Sequence, residues 1–157
     1  MAHPSEERHL ILIRHGHRDK FLDESDNGLS EKGVRQAKRL ADYFGEEFKD
    51  EKSLILLTSP RVRCRETLEP LSRKLDRPIT VNPWLEEGGA LAPKVRGFLK
   101  EWAQRPERIT LACSHGDWIP ALVEQECGSR IICRKSSFVD LVEVAGEFWI
   151  HRVLQRA

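Results

Sequence analysis

Short apolar runs alternate along this chain with stretches whose apolar residues recur at three- and four-residue steps, and this alternation restricts the fold more than any other feature. His9 to Ile13 is the first run and ends at Arg14-His15-Gly16. A polar loop follows at 19 to 28, rich in Asp, Ser, Asn and Gly. Val34, Ala37, Leu40, Ala41 and Phe44 then mark an amphipathic helix with Ser30 as its N-cap. Ser53 to Thr58 is a second buried strand, and Ser59-Pro60 supplies an N-cap and a first-position proline for a helix to about Lys74. Pro78 to Val81 reads as a weak third strand and 82 to 92 as a loop around Gly88-Gly89. A helix is predicted from Pro93, with Val95, Phe98, Leu99 and Trp102 as its apolar stripe. Arg108 to Cys113 is the fourth strand, ending at Ser114-His115-Gly116. A helix through Ile119, Leu122 and Val123 follows, then a hairpin of 137 to 144 with 147 to 154 around Ala145-Gly146.

Strand and helix in this order predict a single-domain, three-layer α/β/α fold over 1–157, with a mostly parallel sheet and a C-terminal β-hairpin. The length of 157 residues suits one domain. A formal charge of +1, from 26 basic and 25 acidic side chains, creates no global field toward nucleic acid or membrane. No apolar run approaches the roughly 20 residues that span a bilayer, and the opening Met-Ala-His-Pro-Ser-Glu-Glu-Arg does not read as a signal peptide. Cys64, Cys113, Cys127 and Cys133 form no C-x-x-C pair, which favours free thiols in a reducing cytoplasm.

In parallel sheets ligands bind beyond the carboxyl ends of the strands. Arg14-His15-Gly16, Ser59-Pro60-Arg61-Val62-Arg63 and Ser114-His115-Gly116 all follow strands, so parallel pairing would bring them to one edge. Two histidines, several arginines and two helix N-termini suit an anion, because arginine forks match phosphate oxygens and helix N-termini present N–H groups. Arg14 and Arg63 are the expected anion contacts and Arg18 a third, while Arg61 and Arg65 are expected on other, solvated faces. Beside a phosphoryl group a neutral imidazole is a competent nucleophile, and a second imidazole can hydrogen-bond an equatorial oxygen.

Arg14-His15-Gly16, Leu29-Ser30-x-x-Gly33 with Gln36-Ala37, Ser59-Pro60-x-x-Arg63 with Glu66-Thr67, and Ser114-His115-Gly116 resemble the histidine phosphatase superfamily, in order from about residue 9 to 125. That group includes the cofactor-dependent phosphoglycerate mutases, and the small size most resembles the short branch with bacterial phosphohistidine phosphatases. The resemblance implies His15 as nucleophile, Arg14, Arg63 and His115 completing the phosphate pocket, and no metal or other cofactor. It also implies a carboxylic acid that protonates the leaving oxygen. In Pro83-Trp84-Leu85-Glu86-Glu87-Gly88-Gly89 the Leu-x-Glu spacing selects Glu87, with Glu86 as its neighbouring candidate.

Two departures from the pattern matter. Short phosphohistidine phosphatases generally lack such an acid, so Glu86-Glu87 points toward phosphate esters, whose alkoxides need a proton. Arg14-His15-Gly16-His17-Arg18 resembles the start of the acid phosphatase and phytase branch, which takes its acid directly after the second histidine. Here that position is Gly116; Asp117 follows, read first as a helix N-cap and second as an acid.

The expected activity is metal-independent hydrolysis of phosphate monoesters or phosphohistidine, on a small molecule or a protein. The alternative is a phosphate- or phosphoprotein-binding module that turns nothing over. A metal set of His15, His17, Asp19, His115 and Asp117 is opposed by the charges of Arg14, Arg18 and Arg63, and a mutase by the lack of a larger enclosing loop region. Cys64 lies between two arginines but reads first as a buried helix residue, and Cys113 as packing. Trp84 and Trp118 are expected either to wall the leaving group or to pack, while His3, His9 and His151 suggest no role.

Overall fold

Leu10, Ile11, Leu12 and Ile13 are all fully buried. Successive strand side chains point to opposite faces, so β1 (Arg8–Arg14) needs cover on both sides. In the computed structural model, residues 6–20 and 26–155 are described; His3 and positions 21–25 of the polar loop lie outside them. After β1 come α1 (Glu31–Glu47), β2 (Leu54–Thr58), α2 (Val62–Leu75), β3 (Ile79–Val81) and a 3₁₀ turn at Pro83–Leu85. Then follow α3 (Leu91–Trp102), β4 (Ile109–Ser114), α4 (Trp118–Cys127), β5 (Phe138–Val144) and β6 (Glu147–Leu154).

The six strands form one sheet in the order β3-β2-β4-β1-β5-β6. β1, β2, β3 and β4 run parallel, β5 is antiparallel to β1, and β6 is antiparallel to β5. One face carries Ile11, Ile13, Leu56 and Leu111 against Leu40 and Phe44 of α1 and Leu68 and Leu71 of α2. The other carries Leu10, Leu12, Leu57 and Ala112 against Val95 and Phe98 of α3 and Ile119 and Leu122 of α4. These are the three layers that the sequence predicts. No helix among the described residues is long and apolar enough to cross a membrane.

Several helix starts differ from expectation. Ser30 caps α1 as predicted, accepting from Gly33 N, although Val34 of the predicted stripe is exposed. α2 begins at Val62 rather than at Ser59-Pro60; Asp26 Oδ1 accepts from Val62 N at 2.9 Å and takes the capping role. α3 begins at Leu91, with Pro93 inside the first turn, where its missing N–H costs no helical bond. Asp117 stands at the N-cap position of α4 but makes no capping bond.

The loop after β1 rests directly on the start of α1. His17 O accepts from Ser30 N at 3.0 Å, and a Cβ added at Gly33 would overlap that same carbonyl oxygen. Backbone cannot move aside as a flexible side-chain tip can. Gly33→Ala is therefore expected to destabilise the fold by about 1–3 kcal/mol, read as a lowered urea midpoint at unchanged denaturant slope.

Candidate active site

The register of two neighbouring strands accounts for the repeated His-Gly. β1 pairs with β4 so that Arg14 stands opposite Ser114. The next residue on each strand is a histidine, and His15 N donates to Ser114 O at 3.2 Å. The two rings lie edge to face with centroids 5.4 Å apart. β2 stops level with them, because Thr58 pairs with Cys113, and Ser59 N donates to Cys113 O. Three strand ends thus converge, as parallel pairing predicts.

His15 is 4% exposed, and its Nδ1 lies 2.8 Å from the carbonyl oxygen of Gly16. A carbonyl only accepts, so Nδ1 carries the proton and Nε2 keeps its lone pair. Arg63 Nε donates to that Nε2 at 3.3 Å. Burial, followed by the positive fields of Arg63, His115 and Arg14, outweighs the Gly16 bond and lowers the His15 pKa to about 3. The ring is neutral at physiological pH.

The motif residues around His15 hold its loop. Gly16 N donates to Thr67 Oγ1 at 2.9 Å, and His17 N donates to Gln36 Oε1 at 2.8 Å. Leu29 N donates to Glu66 Oε1 at 2.7 Å. These residues tie the loop to α1 and α2.

His115 is 1% exposed, with Nε2 2.8 Å from Ser59 Oγ. Its Nδ1 lies 3.1 Å from Glu87 Oε1 without the alignment of a hydrogen bond. Arg63, 2% exposed, donates from Nη2 to Glu87 Oε2 at 2.5 Å and leaves Nη1 buried without a partner. Arg14 donates from Nη1 to Cys133 O at 2.9 Å, and its Nε is likewise buried and unpartnered. A Cβ on Gly116 would stand 2.6 Å from the Arg14 guanidinium carbon, so the second glycine makes room for that arginine.

A cavity of about 290 Å³ opens here, lined by Arg14, His15, Arg18, Lys20, Arg63, Glu87 and Lys135. The predicted contacts Arg14, Arg18 and Arg63 therefore meet His15, and Glu87 reaches them from the loop after β3. Glu86 pairs with Arg61, Nε to Oε1 at 3.0 Å, and stands 3.7 Å from His115 Nε2 without lining the cavity; the pairing corrects the expectation that Arg61 is solvated. Arg65 pairs with Glu69 on the half-exposed face of α2. Burial raises the Glu87 pKa, but the Arg63 hydrogen bond and the charges of His115, Arg63 and Arg61 bring it below the ordinary carboxylate value.

Asp117 is removed from the cavity: its Oδ2 accepts from Gly88 N at 2.9 Å and braces the Glu87 loop. His17 Nδ1 is bound to Ser30 Oγ at 2.7 Å, so the suggested five-residue metal set does not converge. Trp118 is wholly buried against Phe98, and its Nε1 donates to Trp84 O, so it packs and fastens the loop rather than walling the cavity. Trp84 is half exposed over Gly97. Cys64 and Cys113 are buried core residues. His9 bonds Asp140 on β5, far along the strand from His15.

Sequence reading missed Lys20 and Lys135 as cavity residues, and it assigned Ser59 to a helix cap. Lys135 lies in the irregular segment before β5, where no periodicity marks a position.

Buried guanidinium donors, two imidazoles and one carboxylate at the carboxyl edge of a parallel sheet define a class of α/β protein fitted to bind a tetrahedral oxyanion. The family model of the histidine phosphatase superfamily (branch 1) matches residues 10–92, and the chain belongs to that superfamily. It is 32% identical over 133 residues to an 8-oxo-(d)GTP phosphatase of Mycolicibacterium smegmatis, covering 79% of this chain and 39% of that protein. It is 33% identical over 139 residues to the transcription factor tau 55 kDa subunit of Saccharomyces cerevisiae, covering 78% of this chain and 28% of that protein. The chain thus spans well under half the length of these curated relatives.

Among solved structures, the protein histidine phosphatase SixA complexed with tungstate superposes with a TM-score of 0.80 at 19% identity, over 94% of this chain and 96% of that one. A mycobacterial glucosyl-3-phosphoglycerate phosphatase complexed with VO3 gives 0.76 at 17% identity, over 92% and 98%. At these identities the likeness is one of fold.

Three outcomes follow for the site. The folded His15 binds its proton later than the unfolded chain does, so its contribution to stability is lost as pH falls from 6.5 toward about 3. The slope reaches about 1.4 kcal/mol per pH unit, and His15→Ala flattens it in urea titrations. Nitrogen-15 spectra of the parent should show His15 neutral, with the proton on Nδ1, throughout pH 5 to 8. Gly116→Ala displaces Arg14 and is expected to weaken inorganic phosphate binding about tenfold by calorimetry.

Proposed function

We propose that the protein is a phosphatase that hydrolyses phosphate monoesters through a phosphohistidine formed on His15, and that the chain is one domain of this superfamily. Membership of the superfamily and the phosphatases among its relatives support phosphatase activity in general. The observation that carries the mechanism is the tautomer of His15: Nδ1 is committed to Gly16 O, which leaves Nε2 as a lone pair beside Arg63.

The phosphoryl group enters with its oxygens on Arg14, Arg18, Arg63 and His115. The unpartnered Arg63 Nη1 and Arg14 Nε supply buried donors for it. His15 Nε2 attacks phosphorus, the P–O ester bond breaks, and Glu87 gives a proton to the departing oxygen. Water then attacks phosphorus and breaks the P–N bond. Glu87 takes the proton of that water, and inorganic phosphate leaves with His15 restored. The route uses no metal, since the arginines carry the charge stabilisation.

Glu87 is ionised in the free site because Arg63 bonds to it. A phosphate dianion draws Arg63 away and adds negative charge beside the carboxylate, and both changes raise the Glu87 pKa toward protonation. An acid at this place favours esters with poor leaving groups over phosphohistidine, whose imidazole departs readily. The four free thiols fit a cytoplasmic setting.

A second reading is a phosphate-binding module without turnover, favoured by the transcription factor subunit among the relatives. Hydrolysis of para-nitrophenyl phosphate and an alkyl phosphate, with EDTA present, separates the two. The phosphatase turns over both, and His15→Ala lowers kcat by about 10³-fold or more. Glu87→Gln lowers alkyl phosphate hydrolysis by about 10²-fold and para-nitrophenyl phosphate hydrolysis much less. Tight inorganic phosphate binding with no turnover of these esters or of a phosphohistidine peptide would establish the binding module. Activity abolished by EDTA would overturn the metal-free route.

A further inference from the structure

A second cavity, of about 260 Å³, lies against the first and is lined by Arg14, His17, Lys32, Gln36, Arg134 and Lys135. Arg14 and Lys135 line both cavities, so the two share a wall. Among the described residues no carboxylate lines the second one.

Several basic side chains elsewhere on the surface are paired, among them Lys74 with Asp42, Arg105 with Glu101 and Arg152 with Glu47. Lys32, Arg134 and Lys135 take part in no ion pair among the described residues. Lys32 also occupies the first turn of α1, where the helix dipole disfavours a cation. Burial, together with the charges of Lys20, Arg14, Arg18 and Lys32, holds the Lys135 ammonium below the ordinary lysine value. Gathering unpaired cations costs electrostatic energy that no ion pair among the described residues recovers. A bound anion recovers it.

We propose that this second cavity receives a second phosphoryl group, so that the preferred substrate is a small molecule carrying two phosphoryl groups, one at His15 and the other among Lys32, Arg134 and Lys135. The proposal deepens the phosphatase reading and rests on it for the first group. Three cations facing one end of the ligand match the double charge of a phosphoryl group better than the single charge of a carboxylate.

Non-hydrolysable ligands test this without requiring turnover. Calorimetry would compare propylphosphonate, propane-1,3-bisphosphonate with its two- and four-carbon homologues, and 4-phosphonobutyrate. Each is titrated into the parent protein and into Lys32→Ala/Arg134→Ala, whose changed residues are exposed and outside the His15 cavity.

The expected result is that the best bisphosphonate binds the parent about tenfold more tightly than the monophosphonate. The double variant should reduce that preference to below about threefold while its monophosphonate affinity stays unchanged, which also shows that it is folded. Bisphosphonates no tighter than the monophosphonate, or a preference that survives in the double variant, would overturn the second site and leave the first intact. A phosphonobutyrate gain equal to that of the bisphosphonate would overturn the phosphoryl assignment. Failure of every phosphonate to bind the parent would overturn both the second site and the phosphate pocket beneath it.

Discussion

Parallel pairing of β1 with β4, in the register that places Arg14 opposite Ser114, governs nearly everything else in the site. It sets His15 and His115, both almost wholly buried, side by side at the ends of two strands in the middle of the sheet. It also aims the backbone after each strand over the same edge, so the start of α2 and the Glu87 loop can close on the two rings. A one-residue slip would turn Leu10 and Ile11 to the wrong layers and part the histidines together. The apolar faces that stabilise the sheet therefore also hold the chemistry in register.

Charge is distributed unevenly over this frame. The chain as a whole carries only +1, yet among the described residues the first cavity gathers three arginines and two lysines against one carboxylate, Glu87. Arg63 mediates between them, touching His15 with Nε and Glu87 with Nη2 while Nη1 stays free. Burial, aided by this positive field, keeps His15 neutral, and the Arg63 hydrogen bond with the same field keeps Glu87 ionised in the free protein. An entering dianion would reverse the balance at Glu87 but leave the His15 tautomer set by Gly16. In this way one buried cluster can present a base and an acid within a few ångströms.

Much of the site could be read from residue order because each segment sits at the end of a strand marked by its own apolar run. His15, Arg14, Arg63 and His115 needed only the strand assignment and the rule that parallel strands share a ligand edge. Errors arose where a local signal had two physical uses. Ser59-Pro60 has the composition of a helix start, yet Ser59 Oγ turns to His115 and Asp26, distant in sequence, caps α2. Asp117 has the composition of a cap and instead holds Gly88. Glu86 and Glu87 are adjacent and chemically equal; only the position of Arg61 separates them. Lys135 belongs to no periodic element and could be placed only through the chain's return to β5.

What the sequence alone determined is the three-layer architecture, the sheet edge at which the strand ends converge and the histidines and arginines that meet there. Those follow from periodicity and strand order, which are local properties of the chain. The tertiary structure decided which nitrogen of His15 is free, which glutamate faces it, what caps α2 and how the unpaired lysines gather beside the pocket. Each of these depends on a partner many residues away, and hydrogen bonds and Coulomb forces act on distance in space rather than on separation along the chain.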